Sequence, residues 1–312
     1  MTKGSLCCCV ALALMLLSSG CGAGGSGPVD GPSPTAPGPT RDPTAVVLQP
    51  GTPGEATYGN DLADIDASNT AEGYVCARTL TPGKKIKALL TREGDATYTY
   101  NLPSDGSYAV LPLTCGDGVY TLNIYHNLTG DQYVQDLSAQ FEVALRDPLL
   151  PFLYPNQYVD FTADSAIVAR SQELAAGAGG DLDVIGRIYD AVITGVAYDY
   201  EKLEGLPSSY LPDVDETLAS GKGICFDYAA LMTAMLRAQR IPTRLIIGYS
   251  GDVYHAWISV YTPETGWIHR IIEFDGHSWV RMDPTFASAS NSSQDILRYI
   301  GDGSHYNDLY VY

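Results

Sequence analysis

The chain has 312 residues, 45% of them apolar, with 36 acidic against 18 basic side chains and a formal net charge of -18. That length accommodates two domains of about 100–150 residues with flanking segments. A charge of that sign repels phosphate backbones, which argues against nucleic acid as a partner, and it argues likewise against docking on anionic lipid through a basic patch.

The first residues have the form of a targeting segment. Lys3 is followed by the apolar run Val10–Leu17 and then by Ser18-Ser19-Gly20-Cys21. The run falls short of the roughly 20 apolar residues that span a bilayer, but it fits a secretory signal. Small residues ending at a cysteine resemble a bacterial lipoprotein cleavage site, with Ser18 standing where an aliphatic residue is usual. This predicts a signal peptide over 1–20 and lipidation at Cys21. The protein would then be extracytoplasmic and lipid-anchored to the bacterial cell membrane, with plain secretion as the alternative. Residues 21–66 are read as the lipidated start and a disordered Gly/Pro-rich linker, because such a composition cannot bury a core.

Seven cysteines are present. Cys7, Cys8 and Cys9 leave with the signal and Cys21 carries lipid, so Cys76, Cys115 and Cys225 remain in the folded part. An odd number there implies at least one free thiol. Cys76 and Cys115 either pair, as an oxidising compartment permits, or stay reduced. No CxxC pair or His/Cys cluster suggests zinc, and no metal or cofactor is expected.

From 67 to 160 short alternating segments (85–91, 97–102, 108–113, 119–126 and 139–145) are separated by Gly, Asp, Asn and Pro turns. This spacing predicts a small all-β sandwich, Ig-like in character, that could also contact a cell-surface partner. Helical periodicity follows. Ile167 to Ala175 mark one helix, Val184 to Val196 a second, and Cys225 to Gln239 a third with Tyr228, Leu231, Met232, Met235 and Leu236 on one face. Strands are expected at 244–249, 255–261, 267–274 and 278–282. Residues 161–312 are therefore read as an α+β domain of helices plus antiparallel sheet.

Three residues of this second domain carry chemistry. Cys225 opens its helix after Gly221-Lys-Gly-Ile, where exposed N–H groups and the positive helix end favour thiolate. Its backbone N–H is also placed to face a developing oxyanion. His255, in Tyr-His-Ala-Trp, opens a strand, and Asp283, in Arg-Met-Asp-Pro-Thr, ends one. A thiol needs a base for its proton, and that imidazole needs a carboxylate to fix its tautomer. Tyr198 is a candidate second oxyanion donor, although a packed tyrosine is the simpler reading. Trp257 is a candidate wall of the substrate groove. The acidic run Asp213-Val-Asp-Glu216 lacks EF-hand spacing and reads as a solvated loop.

With these residues in view, the sequence resembles the transglutaminase-like core of bacterial cysteine acyltransferases and peptidases. The phrases GKGICFDYAALMTAMLRAQRIPTR, Gly248-Tyr249, YHAW and W-x-x-MDPT carry the resemblance over about 165–290. It implies a papain-like fold with Cys225 as nucleophile, His255 as base and Asp283 as orienting acid. The family often continues His-Ala-Trp-Asn-Glu, whereas Ile258-Ser259 follow Trp257 here. The expected activity is acyl transfer or hydrolysis on Gln side-chain or peptide amides of a protein or peptide substrate, through a thioester at Cys225, with hydrolysis favoured. The alternatives are a protein-crosslinking transglutaminase and a non-catalytic cell-surface binding protein.

Overall fold

The computed structural model describes residues 40–207, 209–250, 252–269, 272–274, 279–281 and 306–312. The signal segment, Cys21 and Asp283 lie outside the described residues.

Alternation of inward apolar and outward polar residues builds the first half. Strands β1 (Thr57–Gly59), β2 (Ala63–Asp66), β3 (Tyr74–Thr79), β4 (Ile86–Arg92), β5 (Thr97–Leu102), β6 (Ala109–Pro112), β7 (Gly118–Thr129) and β8 (Gln132–Val143) follow one another. They form two antiparallel four-stranded sheets, ordered β1-β2-β3-β6 and β5-β4-β7-β8. β5 shows the period-two rule plainly: Tyr98, Tyr100 and Leu102 are buried while Thr97, Thr99 and Asn101 are exposed.

Residues 57–66, read from composition as linker, are paired strands of the first sheet. The stretch before them is fixed as well. Arg41 Nε donates to Asp181 Oδ1 at 2.5 Å, the Val46 N–H donates to the Ala238 carbonyl at 2.8 Å, and Gln239 Nε2 donates to the Pro43 carbonyl at 3.0 Å. Proline and glycine content hid this, because an extended strap needs few side chains of its own when a folded body supplies the partners.

The second half packs α1 (Ala166–Ala175), α2 (Asp181–Gly195), β9 (Ala197–Tyr198), α3 (Tyr200–Glu204), α4 (Val214–Ser220), β10 (Lys222–Gly223) and α5 (Cys225–Ala238) against strands β11 (Thr243–Ser250), β12 (Val253–Thr262) and β13 (Gly266–His269). A short pair, β14 (Ile272–Phe274) and β15 (Trp279–Arg281), and a last strand, β16 (Tyr306–Val311), complete it. The sheet runs β13-β12-β11-β16, all antiparallel. This is the α+β, helix-plus-antiparallel-sheet arrangement expected from sequence.

α5 is buried all round rather than on the one face expected. Every residue from Asp227 to Ala238 is buried. Alanines at 229, 230, 234 and 238 let α1, α2 and α4 approach one side while β11 and β12 cover the other. Arg237, 1% exposed, closes its C-terminal end by donating to the carbonyls of Tyr154 (2.6 Å), Thr243 (2.8 Å) and Tyr312 (2.9 Å). Asp213 caps α4 through the Glu216 N–H (2.9 Å), and Asp215 accepts from the Ile167 N–H (3.1 Å). The acidic run therefore organises helix starts. Among the described residues no group of His, Cys, Asp and Glu is arranged to hold a metal ion, and no helix is long and apolar enough to cross a membrane.

Candidate active site

The approach to Cys225 is set by two parallel two-residue strands, with Gly223 opposite Tyr198. α5 then begins at Cys225, and Asp227 reaches back from its first turn to accept the Ile224 N–H at 2.8 Å, which satisfies one of the free donors of the helix start. A Cβ on Gly223 would meet the Asp227 Cβ at 2.7 Å, so this close turn requires glycine.

Asp227 is itself fully buried and serves as an anchor. Its carboxylate accepts from Lys202 Nζ at 2.7 Å and from the Tyr210 hydroxyl. These contacts hold the 199–212 segment, including Leu203, Leu206 and Pro207, along one wall of a cleft of about 420 Å³. Cys225 and His255 both line that cleft, and Tyr158, Tyr254 and Tyr310 supply much of the remaining wall.

Helix α5 and strand β12 bring the two residues together. The backbone N–H groups of Ala256, Phe226 and Cys225 face the Cys225 sulfur. Burial nevertheless pushes the thiol above its ordinary pKa; these N–H groups pull back, and the Asp227 charge adds to the rise. The helix start alone therefore does not leave a resting thiolate, contrary to the sequence expectation, because desolvation outweighs it. His255 is 6% exposed, and burial lowers its pKa to about 4. It is thus a neutral imidazole at pH 7, able to take a proton. Its Nε2 is buried and hydrogen bonds to no described group. Asp283, cast from sequence as the partner of that imidazole, follows β15 by two residues and is not among those described.

Tyr198 stands at the nucleophile. Burial together with the Cys225 sulfur raises its phenol to about 12, while the nearby Cys225 N–H pulls it back. The two oxyanion candidates are therefore adjacent.

Trp257 does not form the groove wall expected of it. It is 1% exposed, lies 6.1 Å from the His255 ring and packs edge-on against Tyr306 at 5.3 Å. It supports His255 from inside the core. Alternation in β12 explains the difference, since His255 and Trp257 share a sheet face and only the strand's beginning reaches the cleft. Trp267 sits away from the cleft, with the Arg244 guanidinium 3.7 Å from its ring centre and Phe152 edge-on at 5.3 Å. Cys76 and Cys115 are free thiols, and burial raises Cys76 to about 12.

Sequence reasoning missed the tyrosine wall and the Lys202–Asp227–Tyr210 anchor. One signal for each was available. Tyr outnumbers Phe 22 to 6, which suggests polar-tipped aromatic surface, and an acidic residue three places after a helix N-cap marks a capping carboxylate.

Residues 168–284 match the family described as the Transglutaminase-like superfamily. A protein-glutamine gamma-glutamyltransferase of Pseudomonas aeruginosa is 32% identical over 77 residues, covering 20% of this chain and 12% of that protein. An uncharacterized protein of Mycobacterium tuberculosis is 31% identical over 111 residues, 31% of each chain. The chain thus spans less than a third of the length of these curated relatives. Among solved structures, a candidate cysteine protease from Cytophaga hutchinsonii aligns with a TM-score of 0.35 at 17% identity, covering 68% of this chain and 67% of that one. Red sea bream transglutaminase aligns at 0.34 and 10% identity, covering 73% and 53%.

Proposed function

From the premise that residues 168–284 form a domain of the transglutaminase-like superfamily, we propose that the protein is a thiol acyl-transfer enzyme that hydrolyses Gln side-chain or peptide amides. The observation that carries this reading is the pairing, in one cleft, of a helix-start thiol with a buried neutral histidine.

In the proposed reaction the Cys225 sulfur attacks the amide carbon as its proton passes to His255. The resulting oxyanion takes hydrogen bonds from the Cys225 N–H and the Tyr198 hydroxyl. His255 then returns the proton to the leaving nitrogen, the C–N bond breaks, and ammonia or an amine departs from a thioester. Water, giving a proton to His255, cleaves the thioester and regenerates the thiol. Asp283 accepts from His255 Nε2 and stabilises the imidazolium of each step.

Hydrolysis is favoured over crosslinking because water stands at about 55 M in an open cleft, so amine transfer needs positioning worth several kcal/mol. The working location is outside the cytoplasm, anchored through lipid on Cys21.

The test offers a glutamine-containing peptide with and without a labelled primary amine, alongside mapping of cysteines by limiting iodoacetamide at neutral pH. Acid product and preferential labelling of Cys225 are expected. Predominant amine incorporation at millimolar amine would identify a crosslinker instead, and equal labelling of Cys76, Cys115 and Cys225 would remove the nucleophile assignment.

A further inference from the structure

A second cavity, of about 560 Å³, adjoins the Cys225 cleft. It is lined by Asn101, Leu102 and Pro103 at the end of β5, by Asn156 and Gln157, and by Leu211-Pro212 among others. The cleft at Cys225 touches the same three segments one or two residues away, at Thr99, Tyr158 and Tyr210. Along β5, Thr99 and Asn101 are separated by about 7 Å. The two cavities are therefore successive stretches of one groove, with β5 on one side and the 155–158 and 209–212 segments on the other.

β5 is an edge strand, since β4 is its sole partner among the described strands. Its edge faces this groove. The Tyr158 hydroxyl donates to the Thr99 carbonyl at 3.2 Å, so that carbonyl points away from β4. In an antiparallel ladder the N–H and C=O of one residue point the same way, and the direction alternates along the strand. Thr97, Thr99 and Asn101 thus all turn their main-chain groups outward. Across the groove, Asn156 is 4% exposed; its Oδ1 accepts the Tyr158 N–H at 2.9 Å, while its Nδ2 has no partner among the described residues. Gln157 Nε2 is likewise buried and unpartnered. Buried amide donors with no described partner, beside a strand edge whose one described contact is the Tyr158 hydroxyl, suit a ligand rich in carbonyl acceptors that displaces that hydroxyl.

We infer that this groove binds an extended peptide, which adds to β5 as a further strand and runs past Tyr158 into the Cys225 cleft. The β-sheet half then selects substrate by main-chain pairing rather than serving as a spacer. The inference rests on the acyl-transfer reading only in naming the bound peptide as the substrate of Cys225.

Binding is tested apart from turnover, with full-length protein carrying Cys225→Ala and a fluorescein-labelled dodecapeptide pool, random except for a glutamine at position seven. Anisotropy should show binding at least tenfold tighter than for a matching tetrapeptide pool. Amide exchange at 97–102 should slow when the long pool is added. Asn101→Pro removes one outward N–H at an edge position where proline is tolerated, and should abolish the length advantage. Gln157→Met removes the amide donor without burying a charge and should weaken the long pool several-fold. Equal affinity for long and short pools, absence of binding, or a length advantage that survives both substitutions would overturn the inference. Turnover of the long pool by the unsubstituted protein reports separately on Cys225. Binding that depends on Asn101 without turnover would support the groove and defeat the acyl-transfer reading.

Discussion

A base that works at neutral pH must be unprotonated before the reaction and protonated during it. Burial gives His255 the first property by lowering its pKa to about 4, and an acceptor at Nε2 has to supply the second. The lowered value also links pH to stability. Below pH 6.5 the unfolded chain protonates this histidine while the folded chain does not, so stability falls from about pH 6.5 down to about pH 4. From burial alone the full effect is on the order of 3 kcal/mol, and a carboxylate accepting from Nε2 reduces it. His255→Gln should flatten that part of the urea-denaturation profile between pH 4 and 6.5 and reduce turnover to background. An unchanged acid limb of stability would show that His255 is not the group concerned. Asp283→Asn should lower kcat by about 10⁴-fold or less, since the nucleophile and oxyanion donors survive. Cys225→Ser should remove turnover with the circular dichroism spectrum preserved.

At the level of elements, two small features hold the cleft. Strand β16 reaches β11 at a register shift beside Gly248, where an added Cβ would meet the Asn307 carbonyl oxygen at 2.1 Å and Trp257 at 2.9 Å. Gly248→Ala should therefore displace β16, cost about 1–3 kcal/mol and disturb the Tyr310 wall of the cleft. Thermal denaturation and peptide turnover should both register it. Asp227→Ala should be costlier, about 3 kcal/mol or more, because it strands the half-buried Lys202 ammonium and the Ile224 N–H. Elements with strong local patterns were readable in sequence: β5 falls on its expected 97–102, and the α5 helix runs from its expected Cys225. Cys225 and His255 were legible because a helix start and a strand start are local events. β16 and the 199–212 wall were not, since their partners lie far along the chain and short tyrosine-rich segments have no decisive period. Trp257 was misread because alternation gives a strand two faces without saying which is wet.

Across the whole molecule, the sheets of the first half and the α+β second half share one apolar core, with residues from Ala63 to Tyr312 in a single buried cluster. The joining contacts are specific. Tyr98 and Tyr100 of β5 pack edge-on against Tyr312 at 5.6 and 6.1 Å, and Thr114 Oγ1 donates to the Val311 carbonyl at 2.7 Å. Tyr312 in turn carries one of the carbonyls that satisfy Arg237 at the end of the Cys225 helix. Cutting the chain before residue 161 would remove Tyr158, whose ring stacks on Tyr312 at 3.9 Å, leaving Tyr312 exposed and the groove wall they form dismantled. Aromatic side chains of this kind bury about 150–250 Å² each, so several lost together exceed what a marginally stable domain tolerates. Residues 161–312 produced alone should therefore aggregate or show no cooperative melting transition, while the protein from residue 40 onward should unfold in a single step. Both outcomes are read by calorimetry. A cooperative, active 161–312 fragment would show instead that the sheets are dispensable for the cleft, and their part in the fold would reduce to that of an appended domain.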